Sequence, residues 1–291
     1  ALKVDGNFEE GSILRVNTAE IQDDDGIFRS EEGLFVIDPF SYRWERSIDG
    51  EVWVEIDCCP CQGTSCNHVA YGVHYELKQL DVGHLLRVEA SYVDLHGTSE
   101  SVISSSTSLI TNVNDGPEGS VVVTGTAVED GTLSADVSGI SDGDGLDGVF
   151  SYQWQRSSDG SSWNNISFST SSSYVLGDGD VGQEVRVQVA YTDLQGTREY
   201  VSSAASSAVA NVNDAPTGGI VVEGTLSEGE ELFANASLLG DADGLGSLSY
   251  RWERSADGQS WSEISDSDAA SYTLKQLDVG HLLRVEASYV D

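Results

Sequence analysis

The chain has 291 residues, with 49 acidic and 14 basic side chains and a formal net charge of −35 at pH 7. This balance argues against nucleic acid and anionic membranes as partners, because attraction to phosphate requires clustered lysine and arginine. It favours solubility and cation binding, although adaptation to a salty medium would give the same composition. Hydrophobic residues make up 39% and no run of 18 apolar residues occurs, which predicts globular domains and no membrane insertion in this segment.

The sequence repeats itself three times. Trp44, Trp154 and Trp252 each lie in an S-Y-x-W-[EQ]-R-S segment, and a second tryptophan follows nine residues later in every copy. The period of about 100 residues is the size of a small domain and is too long for a solenoid repeat. Leu77–Asp94 recurs unchanged as Leu274–Asp291, which indicates recent duplication.

We expect the chain to be part of a longer protein. It contains no methionine, and the third copy stops before the Gly-Thr segment that follows in the other two. The predicted domains are residues 1–113, with a cysteine-rich insertion at about 57–74 and the first strand missing, residues 114–212, and residues 213–291, truncated at the C-terminal side.

Short apolar runs alternate with Gly, Asp, Asn and Ser clusters, and this pattern predicts an all-β chain. The strands predicted in the second copy are Val121–Thr124, Thr132–Val137, Ser151–Arg156, Trp163–Ile166, Ser173–Leu176, Val185–Thr192 and Arg198–Val209. Seven strands in about 99 residues are typical of an immunoglobulin-like β-sandwich. No cysteine pair can bridge the sheets in every copy, so we expect the first tryptophan of each copy to pack between them.

The first copy alone carries an insertion, and it holds all four cysteines of the chain: Cys58, Cys59, Cys61 and Cys66. Two disulfides that staple a loop are one interpretation, with the pairing open. A zinc site that adds His68 or His74 is a second, although the paired C-x2-C spacing is absent. Free thiols are a third.

The copies are joined by N-V-N-D-[GA]-P at Asn112–Pro117 and Asn211–Pro216. Proline fixes φ and removes a donor, which suits a stiff extended connection. The predicted fold class is therefore all-β, with tandem immunoglobulin-like β-sandwich domains joined by short, stiff, proline-containing linkers.

The first set of candidate metal ligands comes from a D-x-D-G turn at the same place in each copy. These aspartates are Asp23, Asp25, Asp142, Asp144, Asp147, Asp241 and Asp243. Carboxylates two residues apart on a glycine turn can converge on one calcium ion, which takes six to eight oxygen ligands. The alternative is that Asp-Gly is ordinary turn chemistry and needs no metal.

Several motifs together carry a resemblance to a known group of proteins. They are N-V-N-D-A-P-T, E-G-x-x-L, D-x-D-G-L, the tryptophan segment and D-V-G-x-x-x-R-V. Over essentially the whole chain they resemble the tandem Ig-like and cadherin-like repeats of large bacterial surface proteins, including calcium-binding adhesins of the RTX type. The resemblance implies a secreted or cell-surface protein, calcium as a cofactor, and two kinds of partner: neighbouring repeats and an unknown cell-surface or matrix ligand.

The second set of candidate calcium ligands lies in the linkers, which resemble the D-x-N-D-x linker of cadherins except that the first residue is Asn. The set comprises Asn112, Asn114, Asp115, Asn211, Asn213 and Asp214, with Glu129, Glu228, Asp130, Glu230, Asp94 and Asp193 as possible partners. Carboxylates crowded at a junction repel one another without a cation. A hydrogen-bonded Asx turn before proline is the alternative.

No catalytic motif is recognisable, neither G-x-S-x-G nor H-E-x-x-H nor a phosphate-binding glycine loop, so we do not expect an enzyme. The predicted function is that of a calcium-stiffened stalk in cell adhesion. Two alternatives stay open. One is a module that binds a glycan or protein through the cysteine loop, and the other is a non-catalytic spacer of a secreted hydrolase.

Overall fold

The fold is described from a computed structural model that covers residues 1–27, 31–32, 35–36, 38–56, 72–265 and 267–291, with the backbone alone for 31–32 and 35–36. Within these ranges the chain forms β-strands and short 3-10 turns, and no α-helix. No helix in the described part of the chain has the length and apolar character needed to cross a bilayer. The predicted all-β class is confirmed.

The first repeat contains two sheets and a small hairpin. Its strands are β1 (Lys3–Asp5), β2 (Ile13–Asn17), β3 (Glu31–Glu32), β4 (Phe35–Val36), β5 (Ser41–Ser47), β6 (Val54–Glu55), β7 (His74–Glu76), β8 (Leu85–Val93) and β9 (Ser99–Ile103). One sheet has the order β1-β2-β7 and the other β6-β5-β8-β9, and β3 pairs with β4. A 3-10 turn at Gln79–Asp81 leads into β8.

The other two repeats follow the same plan. Their strands are β10 (Val122–Thr124), β11 (Thr132–Asp136), β12 (Ser151–Ser157), β13 (Asn164–Asn165), β14 (Ser173–Val175), β15 (Glu184–Thr192), β16 (Arg198–Ser202), β17 (Val221–Gly224), β18 (Glu231–Asn235), β19 (Ser249–Ser255), β20 (Ser262–Glu263), β21 (Ser271–Thr273) and β22 (Leu282–Ser288). The sheet orders are β10-β11-β14, β13-β12-β15-β16, β17-β18-β21 and β20-β19-β22. The 3-10 turns lie at Asp178–Asp180 and Gln276–Asp278.

The chain divides into two compact units. The first comprises Ala1–Ser120, Ser138–Ser151 and Val189–Val201, and the second comprises Val121–Val137, Tyr152–Gln188 and Ser202–Asp291. Each unit contains one of the two proline-containing linkers.

The first tryptophan of each repeat lies in the core, as predicted. Trp44, Trp154 and Trp252 are at most 1% exposed. Each indole N–H donates to a main-chain carbonyl, which satisfies its polar edge, and each ring lies beside a tyrosine of the facing sheet. A buried tryptophan removes roughly 150–250 Å² from water, so its loss would cost about 3–5 kcal/mol.

Two strand predictions need correction. The first strand, expected to be missing from the first repeat, is β1, whose pairing with β2 matches that of β10 with β11. The last strand of the second repeat ends at Ser202 rather than Val209. Beyond it, the main-chain N–H groups of Val187 and Val185 donate to the hydroxyls of Ser203 and Ser206, so side chains replace the regular ladder.

The second tryptophans are half-buried rather than in the core. Each lies under the guanidinium of an arginine from the neighbouring long strand, at 4.2, 4.2 and 4.3 Å from the ring centre. The pairs are Trp53 with Arg87, Trp163 with Arg186 and Trp261 with Arg284. Cation–π stacking therefore gives each of these tryptophans a structural partner on one face of its ring.

Candidate metal sites at the repeat junctions

The first element of each junction is the turn between the first two strands of a repeat. In the first repeat the N–H of Glu10 donates to Thr111 O, and that of Gly11 donates to Leu77 O. These bonds hold the Glu10 carboxylate beside the start of the linker, where it accepts a hydrogen bond from the main chain of Val113. Its Oε2 is buried and has no partner among the described residues.

The second element is the 3-10 turn before the long strand. It is anchored by the buried carboxylate of Asp81, whose Oδ2 accepts from the Tyr75 hydroxyl at 2.7 Å and from Lys78 N at 2.9 Å. Arg46 pairs with the other oxygen at 3.2 Å. This anchor fixes Gln79, whose Nε2 lies 3.4 Å from Asn112 Oδ1 of the linker, while its Oε1 is buried without a partner in the described ranges.

The third element is the D-x-D-G turn of the following repeat. Asp142 Oδ1 accepts from Asp144 N at 2.9 Å, and its other oxygen accepts from the Tyr191 hydroxyl. Asp144 is 2% exposed, and its Oδ2 accepts from Asp115 N of the linker at 2.8 Å. A Cβ at Gly143 would lie 2.2 Å from Asp115 Oδ2, so glycine permits this close approach.

The first junction brings carboxylates from two repeats and the linker together. One oxygen each from Glu10, Asp115 and Asp144 lies within 4.8 Å of the others. Burial raises the pKa of Glu10, and the neighbouring charges of Asp115 and Asp144 raise it further. Asp144 Oδ1 is buried and has no hydrogen-bond partner in the part of the chain that the structure describes.

The second junction is built from the corresponding turns, but its close group takes Asp178 of the 3-10 turn in place of the D-x-D-G aspartate. Glu129, Asp178 and Asp214 place oxygens within 4.8 Å of one another, and Asp214 N donates to Asp243 Oδ2 at 2.7 Å. Glu129 is 3% exposed; its Oε2 accepts from Val212 N at 3.1 Å, and its Oε1 has no partner among the residues described.

Repulsion at the second junction shows in its pKa values. The Val212 N–H lowers the pKa of Glu129, but burial and the neighbouring Asp178 carboxylate outweigh it and raise the pKa overall. Burial also raises the pKa of Asp214, and the charges of Asp178 and Asp243 add to this effect. The carboxylates therefore lack the positive charge that would stabilise their ionised forms.

The donor sets fit a hard divalent cation. Calcium takes six to eight oxygen ligands from carboxylates, amides, carbonyls and water. Each junction supplies several carboxylates. Each also includes a buried carboxylate oxygen that has no partner in the described part of the chain, although buried polar atoms are normally paired. The two sets of candidates from the sequence thus meet in one place: the second aspartate of the D-x-D-G turn joins the linker aspartate.

Other predicted residues have different surroundings. Asp23, like Asp142 and Asp241, accepts from a tyrosine hydroxyl, which is a structural role in the turn. Asp147 is exposed and accepts from Val149 N. The remaining linker and turn positions are Asn114 and Asn213, which donate to the carbonyl of the next residue, and Asn211 and Glu228, which are exposed. Cys58, Cys59, Cys61 and Cys66 lie outside the described residues.

Two further carboxylate groups lie at the D-x-D-G turns of the outer repeats. Asp25, Asp94 and His96 form one, and Asp241, Asp243 and Asp291 form the other. Asp94 is largely satisfied, because its Oδ1 accepts from His96 N and Thr98 N, and the Thr98 main chain is the main cause that lowers its pKa. Asp25 is exposed, so this group lacks the enclosure of the junction groups.

Sequence reasoning missed Glu10, Gln79 and Asp178 as junction residues. Glu10 aligns with Glu129, four residues before the buried leucine of the next strand, so comparison of the copies could have found it. Gln79 and Asp178 both begin the 3-10 turn that ends at the aspartate of the D-V-G motif, but they differ between the copies and are not part of the motif. Only the fold places the turn beside the linker.

No protein-family model and no curated protein matches the sequence. Among solved structures the chain is similar to the crystal structure of the chicken CNTN1 FN1–FN3 domains, with 12% sequence identity and a TM-score of 0.26 over 100% of this chain and 92% of that chain. The fold assignment rests instead on the strand order and the core of the chain itself. These define a tandem array of Ig-like β-sandwich repeats.

Proposed function

We propose that this chain is the extracellular repeat region of a large bacterial surface protein, and that it acts as a calcium-stiffened stalk in cell adhesion. The observation that carries the proposal is that carboxylates of both flanking repeats and of the linker lie together at each junction, with buried oxygens that have no partner among the described residues. The resemblance of the repeats to those of bacterial adhesins supports the cell-surface setting.

Calcium would act on the junction through repulsion and its relief. Without the ion, Glu10, Asp115 and Asp144 repel one another across the linker, which favours separation of the two repeats. A bound ion would join the two repeats through shared ligands and leave one stable angle. Pro117 adds stiffness from the backbone, because its φ is fixed.

Calcium binding is coupled to stability, because the folded junction gathers ligands that the unfolded chain keeps apart. Extracellular calcium modules bind with Kd of about 10⁻⁴–10⁻³ M. A site with Kd near 10⁻⁴ M would gain about 1.4 kcal/mol in 1 mM calcium. For repeats of this size that is a rise in Tm of roughly 6–11 °C.

The test compares the full chain in excess chelator and in 1 mM calcium at fixed ionic strength. Thermal melting should show the rise in Tm, and small-angle X-ray scattering should show a narrower distribution of inter-repeat distances with calcium. Magnesium at the same concentration is the control for non-specific screening. Identical melting and scattering in calcium and chelator would exclude the calcium-stiffened stalk.

A second candidate function, recognition of a ligand, is favoured by one residue. Phe168 is fully exposed and has φ 62°, in the loop between β13 and β14. A bulky residue in this conformation is strained and exposes its ring to water, so the fold gains nothing from it. In the sequence of the first repeat, the cysteine insertion falls at the corresponding position, between β6 and β7.

The recognition function is tested by a glycan array probed with the full chain and with Phe168→Ala. A signal from the unaltered chain that is lost in the variant would support a binding module. An array with no signal for either chain would leave the stalk as the function that the structure supports.

A further inference from the structure

The two junctions differ at corresponding positions. Gln79 and Asp178 each begin the 3-10 turn, and their carbonyls accept from the N–H of Val82 and Val181 in the same way. The first junction therefore has a neutral amide where the second has a carboxylate. Gln79 Oε1 is among the buried oxygens without a partner in the described chain, so no described group donates a hydrogen bond to the amide oxygen at this position.

A second difference lies in the turn that carries the buried glutamate. Gly11 and Asp130 follow Glu10 and Glu129, and each donates its N–H to the leucine carbonyl before the 3-10 turn. Gly11 has φ 74° and Asp130 has φ 61°, so aspartate occupies a left-handed conformation that glycine adopts without strain. Asp130 also raises the pKa of Asp214, after burial and the charges of Asp178 and Asp243.

Both differences add negative charge to the same junction. At corresponding positions the first junction has three carboxylates, Glu10, Asp115 and Asp144, and the second has four, Glu129, Asp178, Asp214 and Asp243. Asp130 is exposed and adds its negative charge from outside this group. Calcium affinity in protein sites rises with the number of charged ligands and with the rigidity of the site.

We infer that the second junction binds calcium more tightly than the first, that Asp178 in place of Gln79 sets the main difference, and that the charge of Asp130 adds to it. This inference rests on the proposed calcium-stiffened stalk and adds the order in which the two junctions release calcium. As calcium falls, the junction between the first and second repeats loses its ion first, while the junction between the second and third repeats stays occupied. The stalk then loosens at one defined point.

The test isolates each junction in the full chain by isothermal titration with calcium. Asp144→Asn removes a ligand from the first junction and leaves the second to be measured. Asp214→Asn does the reverse. We expect Kd at the second junction to be lower by about tenfold or more. Circular dichroism checks folding, and Asp115→Asn replaces Asp144→Asn if that variant unfolds.

The residues named are tested in the isolated backgrounds. Gln79→Asp should tighten the first junction by about fivefold or more, and Asp178→Gln should weaken the second by a similar factor. Asp130→Gly should weaken calcium binding at the second junction without lowering Tm in chelator, because glycine relieves the backbone strain. A merely structural role for Asp130 would not separate these two readouts.

The charge-matched control is Gln155→Glu, which adds one negative charge on β12. Glu45 and Glu253 already occupy the corresponding positions and pair with Arg87 and Arg284, as Gln155 pairs with Arg186. It should change neither Kd. Equal affinities in the unaltered junctions, or no response to Gln79→Asp, would overturn the order of binding while leaving the stalk intact. No calcium binding at either junction would overturn both.

Discussion

Carboxylates in the hairpin turns and at the junctions have pKa values that are shifted in opposite directions. In the turn after β12, Asp159 Oδ1 accepts from Ser161 N at 2.8 Å, Ser162 N at 2.7 Å and the Ser157 hydroxyl at 2.9 Å. These bonds, that of Ser162 first, hold the pKa of Asp159 well below its usual range. At the junctions burial and neighbouring carboxylates raise the pKa of Glu10 and Asp214 instead.

The difference teaches that an acidic count does not identify a cation site. Asp49, Asp159 and Asp257 belong to turns in which main-chain N–H groups and a serine hydroxyl donate to the carboxylate. The junction carboxylates are brought together by the fold but receive fewer donors, and oxygens of Asp144 and Glu129 are left without partners within the described ranges. A cation would complete the second kind of site and is not needed in the first.

The largest expected effect comes from removing one junction aspartate at each linker. The pair Asp144→Asn and Asp243→Asn keeps the acceptor for the linker N–H but removes two charged ligands, so the rise in Tm with 1 mM calcium should be almost abolished. The matched hairpin pair, Asp159→Asn and Asp257→Asn, should lower Tm alike in calcium and chelator and keep the full rise. Thermal melts of both double variants in calcium and in chelator measure this difference. An equal rise in Tm with calcium in the two variants would mean that the junction aspartates are no more important for calcium binding than the hairpin aspartates.

The pH dependence of stability should separate the same two regions in chelator. A carboxyl whose folded pKa is raised stabilises the fold below its unfolded pKa of about 4, and this stability is lost as pH rises through the folded pKa. Glu10, Glu129 and Asp214 should therefore raise the Tm of the metal-free protein as pH falls from 7 towards about 4. The hairpin aspartates, with lowered pKa values, contribute stability above about pH 4 that is lost below it.

Melts at a series of pH values check this, with Glu10→Gln and Glu129→Gln as the variant. The double variant should lose most of the gain in Tm between pH 7 and about 4 and keep the fall in Tm at lower pH that comes from the hairpin aspartates. In saturating calcium the gain should reverse, because protons compete with the ion for the carboxylates. If the double variant shows the same increase in Tm on acidification, the increase comes from other carboxylates of this acidic chain.

The sequence predicts the fold well because each repeat satisfies several patterns at once. The alternation in Val185–Thr192 follows the two faces of a strand, and Val185, Val187 and Val189 are fully buried as this pattern requires. The end of the last strand is not predictable in this way, because Ser203 bonds the ladder through its side chain, which no periodicity reports.

The candidate site is only half readable from the sequence. The D-x-D-G and linker motifs point to Asp144 and Asp115, since both lie in short segments with recognisable turn chemistry. Glu10 and Gln79 come from turns separated from Asp144 by 134 and 65 residues, and no local pattern says that these turns meet the linker. Their contribution depends on the sandwich, which brings the turns to one end of the repeat.

The smallest effect concerns the two aspartates within one D-x-D-G turn. Both oxygens of Asp142 have partners, Asp144 N and the Tyr191 hydroxyl, whereas Asp144 keeps one free oxygen in the described structure. Asp142→Asn retains an acceptor for the N–H and loses the charged acceptor of the tyrosine, which should cost about 1 kcal/mol. The loss should be equal in calcium and chelator, and calcium affinity by titration should change less than about threefold, against near-complete loss at this junction in Asp144→Asn. A tenfold weakening of calcium binding in Asp142→Asn would make the first aspartate a ligand as well. The distinction between carboxylates whose oxygens all have hydrogen-bond partners and those with an unpaired oxygen would then fail within a single turn.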